Sequence, residues 1–372
     1  MRTIKNEPTF ASLFTQKRIA NFYRIVKSGG EAKNDVEKKR AMEYIVFVKK
    51  NDLAERLLFL SDKYESESFL QDDPSRFLRR YKDPKEAELL AFVAAQLSFG
   101  QREQFIAKIE EMLDNVGAGS FSEWLTGGGY KKFFPKSDKK FYRFFSLADM
   151  KALCGRLAQI VQENGSLGNA VRAAYECFNS QEFGGQTQID GRAKNASARL
   201  SLQKRRGAGR GDYGLADNSS FADSCAAPIG LKKRCGSALG ISGFAKIPCE
   251  LRLVTALISL FPEIKCVSQN PKGACKKLHM FLRWMVRQGS PVDLGLWTWA
   301  SAADLLVPLD THVLQEAARL GLIAPDSAAS AKTAIELTKK MAAVFPGDPA
   351  RADFALFGLG VDAQNAARRT PV

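Results

Sequence analysis

A carboxylate, a hydroxyl and an imidazole lie close together in the segment Pro308-Leu309-Asp310-Thr311-His312-Val313. An apolar run ends at this proline, and apolar positions with helical spacing follow it as far as Gly321. The pattern places Asp310 at the N-cap of a helix, where its side chain can accept backbone N–H groups and the helix dipole favours its ionised form. Such an anion can stabilise a developing cation or activate a nucleophile, although helix capping alone explains the same position.

Helices must position this segment, because apolar residues recur with helical spacing along most of the chain. Asp83-Pro84 is a strong helix start, and the apolar body 89–97 predicts a buried helix. Almost no segment alternates with a period of two, so the sequence predicts an all-α fold. Besides the helix that starts at Asp83, helices are predicted near 101–116, 121–126, 138–146, 149–163, 167–179, 274–287, 297–304, 311–320, 331–344 and 350–358. The stretch 251–260 is apolar and ends before Pro262.

The charge of the chain favours a polyanionic partner. It has 55 Lys and Arg against 40 Asp and Glu, a net charge of +15, and a pI near 9.5. Nucleic acid is the partner most often bound by such a protein, and an anionic membrane surface is the weaker alternative. We expect no membrane-spanning segment, because no apolar run reaches about 18 residues. The N-terminus lacks the features of a signal peptide, and the seven cysteines form no C-x-x-C pair. We therefore expect a cytoplasmic protein with reduced thiols.

The chain divides into four segments by composition. Residues 1–50 form a basic N-terminal extension, and 51–180 and 247–372 are helical. Residues 181–246 are rich in Gly, Ser, Ala and Arg and have little periodicity. Between residues 192 and 246, eleven Lys and Arg stand against three Asp, a net charge of +8. We expect 181–246 to be a flexible basic insertion that contacts a polyanion, with a solvated linker as the alternative.

The motifs together resemble the helix-hairpin-helix DNA glycosylase superfamily, which includes endonuclease III and the 8-oxoguanine glycosylases. In that superfamily a Pro-x-Asp element opens a helix and its aspartate is catalytic, as Pro308-Leu309-Asp310 would be here. More closely, the chain resembles an uncharacterised bacterial family of that superfamily. The resemblance covers about 60–178 and 247–362, and it rests on residues 80–84, 276–287, 308–313 and 353–360, the last reading Asp-Phe-Ala-Leu-Phe-Gly-Leu-Gly.

The chain departs from the superfamily at two places. Where ordinary members have Leu-Pro-Gly-x-Gly, which grips DNA phosphates through backbone N–H groups, this chain has Asn270-Pro271-Lys272-Gly273-Ala274-Cys275. The resemblance therefore implies a degenerate helix-hairpin-helix with Gly273 as the remaining phosphate contact. No cysteine follows Cys275, so the iron–sulfur motif of endonuclease III is absent. We expect no cofactor and no metal.

The resemblance also implies roles for individual residues. Asp310 would stabilise positive charge on the sugar, and Lys276 would supply the amine that attacks C1′, with Lys277 as the alternative amine. Phosphate contacts made by both lysines are the other explanation. His312 could support Asp310 or be structural. Four further assignments concern DNA contacts, each with ordinary packing or capping as its alternative: Gly273 on phosphate, Gln101 and Arg102 in the gap left by a flipped base, and Trp284 as a stacking surface.

The sequence therefore predicts a two-lobed, all-α DNA glycosylase-like protein, with 51–180 as the first lobe and 247–372 as the second. The expected reaction is excision of a damaged base, such as an oxidised one, from duplex DNA, with AP-lyase activity through a lysine. We expect a monomer associated with the nucleoid. Two alternatives remain: a non-catalytic DNA- or RNA-binding module that retains the fold, and a protein-interaction scaffold. An open pocket around Asp310 and Lys276 would favour the enzyme.

Overall fold

The computed structural model describes residues 53–183 and 247–369, and helices account for most of them. The first helix, α1, covers residues 53–64. Helices α2 to α12 are, in chain order, Pro84–Leu97, Arg102–Val116, Phe121–Thr126, Tyr130–Phe133, Leu147–Asn164, Leu167–Phe183, Arg252–Ser259, Lys276–Val286, Thr311–Arg319, Ala331–Met341 and Ala352–Arg369. The 3-10 helices are Glu67–Asp72, Pro74–Arg79, Cys249–Leu251, Ala302–Asp304 and Pro349–Arg351. The prediction of a helical fold is confirmed, and the division into two lobes stays a prediction.

Two of the predicted segments lie outside the residues that the structure describes. The N-terminal extension 1–50 and the insertion 181–246 lie outside the described residues, except for 181–183 at the end of α7. Within 53–183 and 247–369, no helix combines the length and apolar character needed to cross a membrane.

Helix α2 is buried along almost its whole length. Its N-cap Asp83 accepts the N–H groups of Lys85 and Glu86, with Pro84 at the first position. Every residue from Ala87 to Leu97 is buried, as the apolar sequence predicts. The ring of Phe92 stacks on Phe261, with centroids 4.6 Å apart, and meets Phe281 of α9 edge-on. This packing holds α9, and therefore Lys276 at its start, against the core.

Two acids of α2 anchor neighbouring helices. Glu86 accepts the hydroxyl of Ser120 and the N–H of Ser122 at the start of α4. Glu88 is buried and accepts the N–H groups of Leu167 and Gly168 at the start of α7, both at 2.9 Å, and the indole N–H of Trp297. A Cβ on Gly168 would lie 2.5 Å from the Trp297 indole nitrogen, so this close approach requires glycine. The helix starts are thus satisfied by side chains from α2.

The helix predicted at 138–146 is wrong, because this segment forms a β-hairpin. Strand β1, Lys140–Tyr142, pairs antiparallel with β2, Phe145–Ser146. The turn residue Arg143 has φ of 48°, which is incompatible with a continuous helix. Ser146 then caps α6 in a capping box with Asp149. The true helix start therefore lies just after the hairpin.

The helix predicted at 297–304 is also largely wrong. The structure has only the 3-10 turn Ala302–Asp304 there, within an otherwise irregular stretch. Helices α2, α3, α4, α6, α7 and α9 to α12 begin within two residues of their predicted starts, although α7 and α12 run longer than predicted. Helix α5 was not among the predicted helices. Helix α9 starts at Lys276 and not at 274, because its N-cap Cys275 has a left-handed backbone with φ of 43°.

Candidate functional site

A cavity of about 1210 Å³ opens where the N-terminal ends of four helices meet. Its lining includes Arg102, Lys276, Thr311 and Asp353, each in the first turn of α3, α9, α10 or α12. The first turns of a helix carry N–H groups without intrahelical partners, and the helix dipole adds partial positive charge there. The helix starts around the cavity therefore create an electrostatic field that favours anions. The side chains that line the cavity include both acidic and basic groups.

Asp310 is the N-cap of α10, at the position the sequence predicts. Its Oδ1 accepts the N–H of Val313 at 2.8 Å, which fixes the orientation of the carboxylate. Its Oδ2 lies 3.6 Å from Nζ of Lys276, within ion-pair distance. Both side chains are 33% exposed and line the cavity. The structure thus brings together a held carboxylate and an accessible amine from residues 34 positions apart in the sequence.

Lys277 also lines the cavity, but its amine is engaged by the protein. Its Nζ donates to the carbonyls of Gln96 at 3.0 Å and Cys266 at 3.3 Å. The same nitrogen lies 5.0 Å from the ring centroids of Phe99 and Phe145, a cation–π arrangement. Burial lowers the pKa of Lys277 to about 8, and the positive charge of Lys276 acts in the same direction. Lys277 therefore links the segments around Gln96 and Cys266 through hydrogen bonds at the cavity wall.

Asp353 is a second carboxylate in the cavity, which sequence reasoning did not select. Burial raises its pKa to about 6, against the opposing effect of Arg283, and the charge of Asp310 adds to the rise. Arg283 pairs with Asp353 and lies 3.4 Å from the buried Asp293. Its guanidinium also lies over the ring of Phe354, 4.3 Å from the centroid. A single buried arginine therefore positions Asp353 at the cavity.

Three other predicted residues lie on the cavity wall. Gln101 and Arg102 occupy the start of α3, where Gln101 is exposed. His312 is exposed beside Asp310, in the first turn of α10. Six of the eight predicted site residues therefore line one cavity.

The amino-acid sequence also shows the family to which the chain belongs. Residues 73–209 and 253–362, more than half of the chain, match the family described as protein of unknown function DUF2400. The chain belongs to DUF2400. No curated protein and no solved structure matches it. All eight predicted site residues of this DUF2400 chain lie inside the matched segments.

Gly273 does not line the cavity of the DUF2400 chain. Its N–H donates to the carbonyl of Asn270 at 3.1 Å, and it forms a β-bridge with Ser330. That N–H is therefore already used inside a tight turn, and the phosphate contact at Gly273 stays a prediction. The turn is also tied to the start of α11, because Ala331 donates its N–H to the carbonyl of Lys272.

Trp284 occupies the core and not the cavity. Its side chain has no exposed surface, and it does not contribute to the cavity lining. It lies in α9, where the residues from Leu278 to Val286 are all buried. A stacking role for Trp284 would require the helix to leave the core, so the packing alternative describes this residue.

The side chains around the cavity also bear on metal and thiol chemistry. Within residues 53–183 and 247–369, no group of three or more His, Cys, Asp or Glu side chains is arranged to hold a metal ion. Cys275 lines the cavity, but burial raises its thiol pKa to about 11 and its sulfur contacts the carbonyl of Asn270. A protonated thiol is a poor nucleophile, so Cys275 does not offer a reactive sulfur in this cavity.

Proposed function

We propose that this DUF2400 protein is a DNA glycosylase that excises a damaged base, such as an oxidised one, from duplex DNA. The observation that carries the proposal is the 3.6 Å approach of the Lys276 amine to the Asp310 carboxylate in an open cavity. At about 1210 Å³, the cavity has room for a flipped nucleotide. A binding module that only retained the fold would have no need to keep this pocket open.

The chemistry assigns a separate task to each group. Cleavage breaks the C1′–N bond, the base leaves with the electron pair and takes up a proton, and the sugar develops positive charge. Asp310, held by the N–H of Val313, stabilises that charge. After its ammonium group has given a proton to solvent, Lys276 attacks C1′ through the nitrogen lone pair, and the proton released on C–N bond formation passes to the leaving base. The Schiff base forms when the C1′–O4′ bond breaks and O4′ takes up a proton. Elimination of the 3′ phosphate from this intermediate would give AP-lyase activity.

Of the two candidate lysines, the proposal assigns the nucleophile to Lys276. Its amine faces Asp310 and one third of its side chain is exposed. The amine of Lys277 is held by two backbone carbonyls between two aromatic rings. Reaction at Lys277 would break all of these contacts, so its contribution is to position the wall and to add positive charge beside Lys276.

The DNA would cross a cleft between the two proposed lobes. The cavity takes Gln101 and Arg102 from one half of the chain and Lys276 and Asp310 from the other, which supports this placement. Four helix N-termini around the cavity suit a phosphate backbone. The proposal includes a monomeric protein that works at the nucleoid, with no cofactor.

Affinity for duplex DNA should fall steeply with salt, because each phosphate contact releases a condensed counterion. The expected slope of log K against log salt is about −0.9 per contact. Binding would be measured by fluorescence anisotropy from low to moderate salt. A full-length comparison protein carries glutamine in the insertion at Lys204, Arg205, Arg206, Lys232, Lys233 and Arg234. A smaller slope in that protein would assign phosphate contacts to the insertion, and equal slopes would remove its role. A flat response in the unchanged protein would favour the protein-interaction scaffold.

The decisive test of the activity is a panel of duplexes, each with one damaged base at a defined position. Excision would be followed by strand cleavage in hot alkali, and lyase activity by cleavage without alkali. We expect one class of lesion to be excised and an undamaged duplex to remain intact. Binding without excision across a broad panel would contradict the enzyme and favour the non-catalytic binding module.

A further inference from the structure

The tip of the β-hairpin carries an exposed aromatic ring beside the cavity. Phe144 follows Arg143 in the two-residue turn between β1 and β2, and 56% of its surface is exposed. One face of its ring stacks on Phe99, with centroids 4.8 Å apart and planes 25° apart. Both rings line the cavity. Exposure of a large apolar side chain to water is unfavourable, so an exposed ring at the rim of a cavity marks a candidate contact for a ligand.

Neighbouring contacts fix this ring in place. The hydroxyl of Tyr142 donates to the carbonyl of Phe99, and its ring meets Phe99 edge-on at 5.0 Å. The hairpin lies directly on Gly100, where a Cβ would come within 2.9 Å of the Tyr142 hydroxyl and 2.8 Å of the Arg143 side chain. Gly100 also has φ of 84°, a conformation that favours glycine. These contacts pack the hairpin tip, and with it the stack of Phe144 on Phe99, against Gly100.

The segment that leads into the hairpin is basic. Residues 131–143 include six exposed basic side chains and one acidic side chain, Asp138. The exposed basic residues are Lys131, Lys132, Lys136, Lys139, Lys140 and Arg143. Lys140 and Lys265 also bring their amines within 3.5 Å of the Phe144 carbonyl. Exposed aromatic rings interleaved with cations are the combination that binds single-stranded nucleic acid.

We propose that Phe144 is a stacking platform for an unpaired nucleobase, on the strand whose backbone the lysines around the hairpin contact. The outer face of the ring takes the base, and its inner face is supported by Phe99. The ring reads no base identity, because every base offers an aromatic face. This inference depends on the proposed function only for the identity of the partner as DNA, and the platform needs no catalytic step.

The test compares Phe144→Ala with two other variants of the full-length chain. Phe144→Trp retains a flat aromatic surface, and Phe59→Ala removes another exposed phenylalanine, 66% exposed, that does not line the cavity. The probes are a fluorescein-labelled oligothymidylate of about 12 nucleotides, within the length that such single-strand sites cover, and a perfect duplex. Affinities would be measured by anisotropy, with a thermal melt to show that each variant is folded.

Phe144→Ala should bind the single strand about tenfold more weakly, a typical loss for one base–aromatic stack. Its salt slope should not change, because no charge is removed. Phe144→Trp should restore the affinity, and Phe59→Ala should match the unchanged protein. The loss should be much smaller on the perfect duplex, whose bases are already stacked. Unchanged single-strand affinity in Phe144→Ala, an equal loss in Phe59→Ala, or no binding by the unchanged protein would each overturn the platform.

These outcomes separate the platform from the proposed enzyme. If the protein excises no lesion but Phe144→Ala alone loses single-strand affinity, the enzyme fails and the platform stands. If lesions are excised and Phe144→Ala binds like the unchanged protein, the enzyme stands and the platform is wrong.

Discussion

Replacing Asp310 by asparagine should lower the rate of base excision by at least about 100-fold. The amide retains the size of the side chain and an oxygen that can accept the N–H of Val313, so α10 should still begin at the same place. The negative charge 3.6 Å from the Lys276 amine is lost, and with it the group that stabilises a cationic sugar. Removing one such electrostatic contact typically costs about 3 kcal/mol in the transition state. Single-turnover excision on the lesion found in the panel would measure the effect.

The matched control is Asp83→Asn. Asp83 is also a helix N-cap that accepts backbone N–H groups, but it does not line the cavity. Asp83→Asn should leave the rate of excision nearly unchanged. The DNA affinity of Asp310→Asn should be equal to or above that of the unchanged protein, because a negative charge has been removed. Excision at the original rate in Asp310→Asn would reduce Asp310 to a capping residue and would remove the main support for the enzyme.

The helices and their starts could be predicted from the sequence because their signals are local. Asp83-Pro84 and Pro308-Leu309-Asp310 combine a capping acid with proline and an apolar repeat, and each marks a helix start within a few residues. The hairpin at 140–146 was missed because its aromatic run has no clear period. Its turn depends on the positive φ of Arg143, for which that residue type gives no warning.

The composition of the site was only partly predictable, because it depends on packing between distant segments. The sequence identified Asp310 and Lys276 as separate helix starts, but only the fold places them 3.6 Å apart. Asp353 was overlooked because it opens an apolar segment that looks like core. Arg283 gave a usable signal, since a charge inside the buried stripe of α9 requires a buried partner. For Trp284 the sequence left stacking and packing open, because aromatic type alone does not distinguish a stacking surface from the core, and the structure places it in the core.

Replacing Lys276 by glutamine should abolish covalent trapping of the protein on DNA by borohydride. In the unchanged protein the Schiff base between the amine and C1′ is reduced by hydride to a stable secondary amine, which leaves a protein–DNA adduct on a denaturing gel. Without the amine no such bond forms, so the adduct should fall to background. Most of the DNA affinity should remain, because one charge among many is lost. Lys272→Gln, an exposed lysine that does not line the cavity, is the control for that loss of charge.

Lys277→Gln separates the two candidate amines. This change removes an amine that donates to Gln96 and Cys266, so the variant should melt at a lower temperature. Its folded fraction should still trap DNA, because Lys276 keeps its place opposite Asp310. Three results together would assign the nucleophile to Lys277 instead. Trapping would persist in Lys276→Gln and disappear in Lys277→Gln, and in the unchanged protein it would rise with pH through about 8. That pH range follows from the pKa of Lys277, below which its amine is mostly protonated and unreactive.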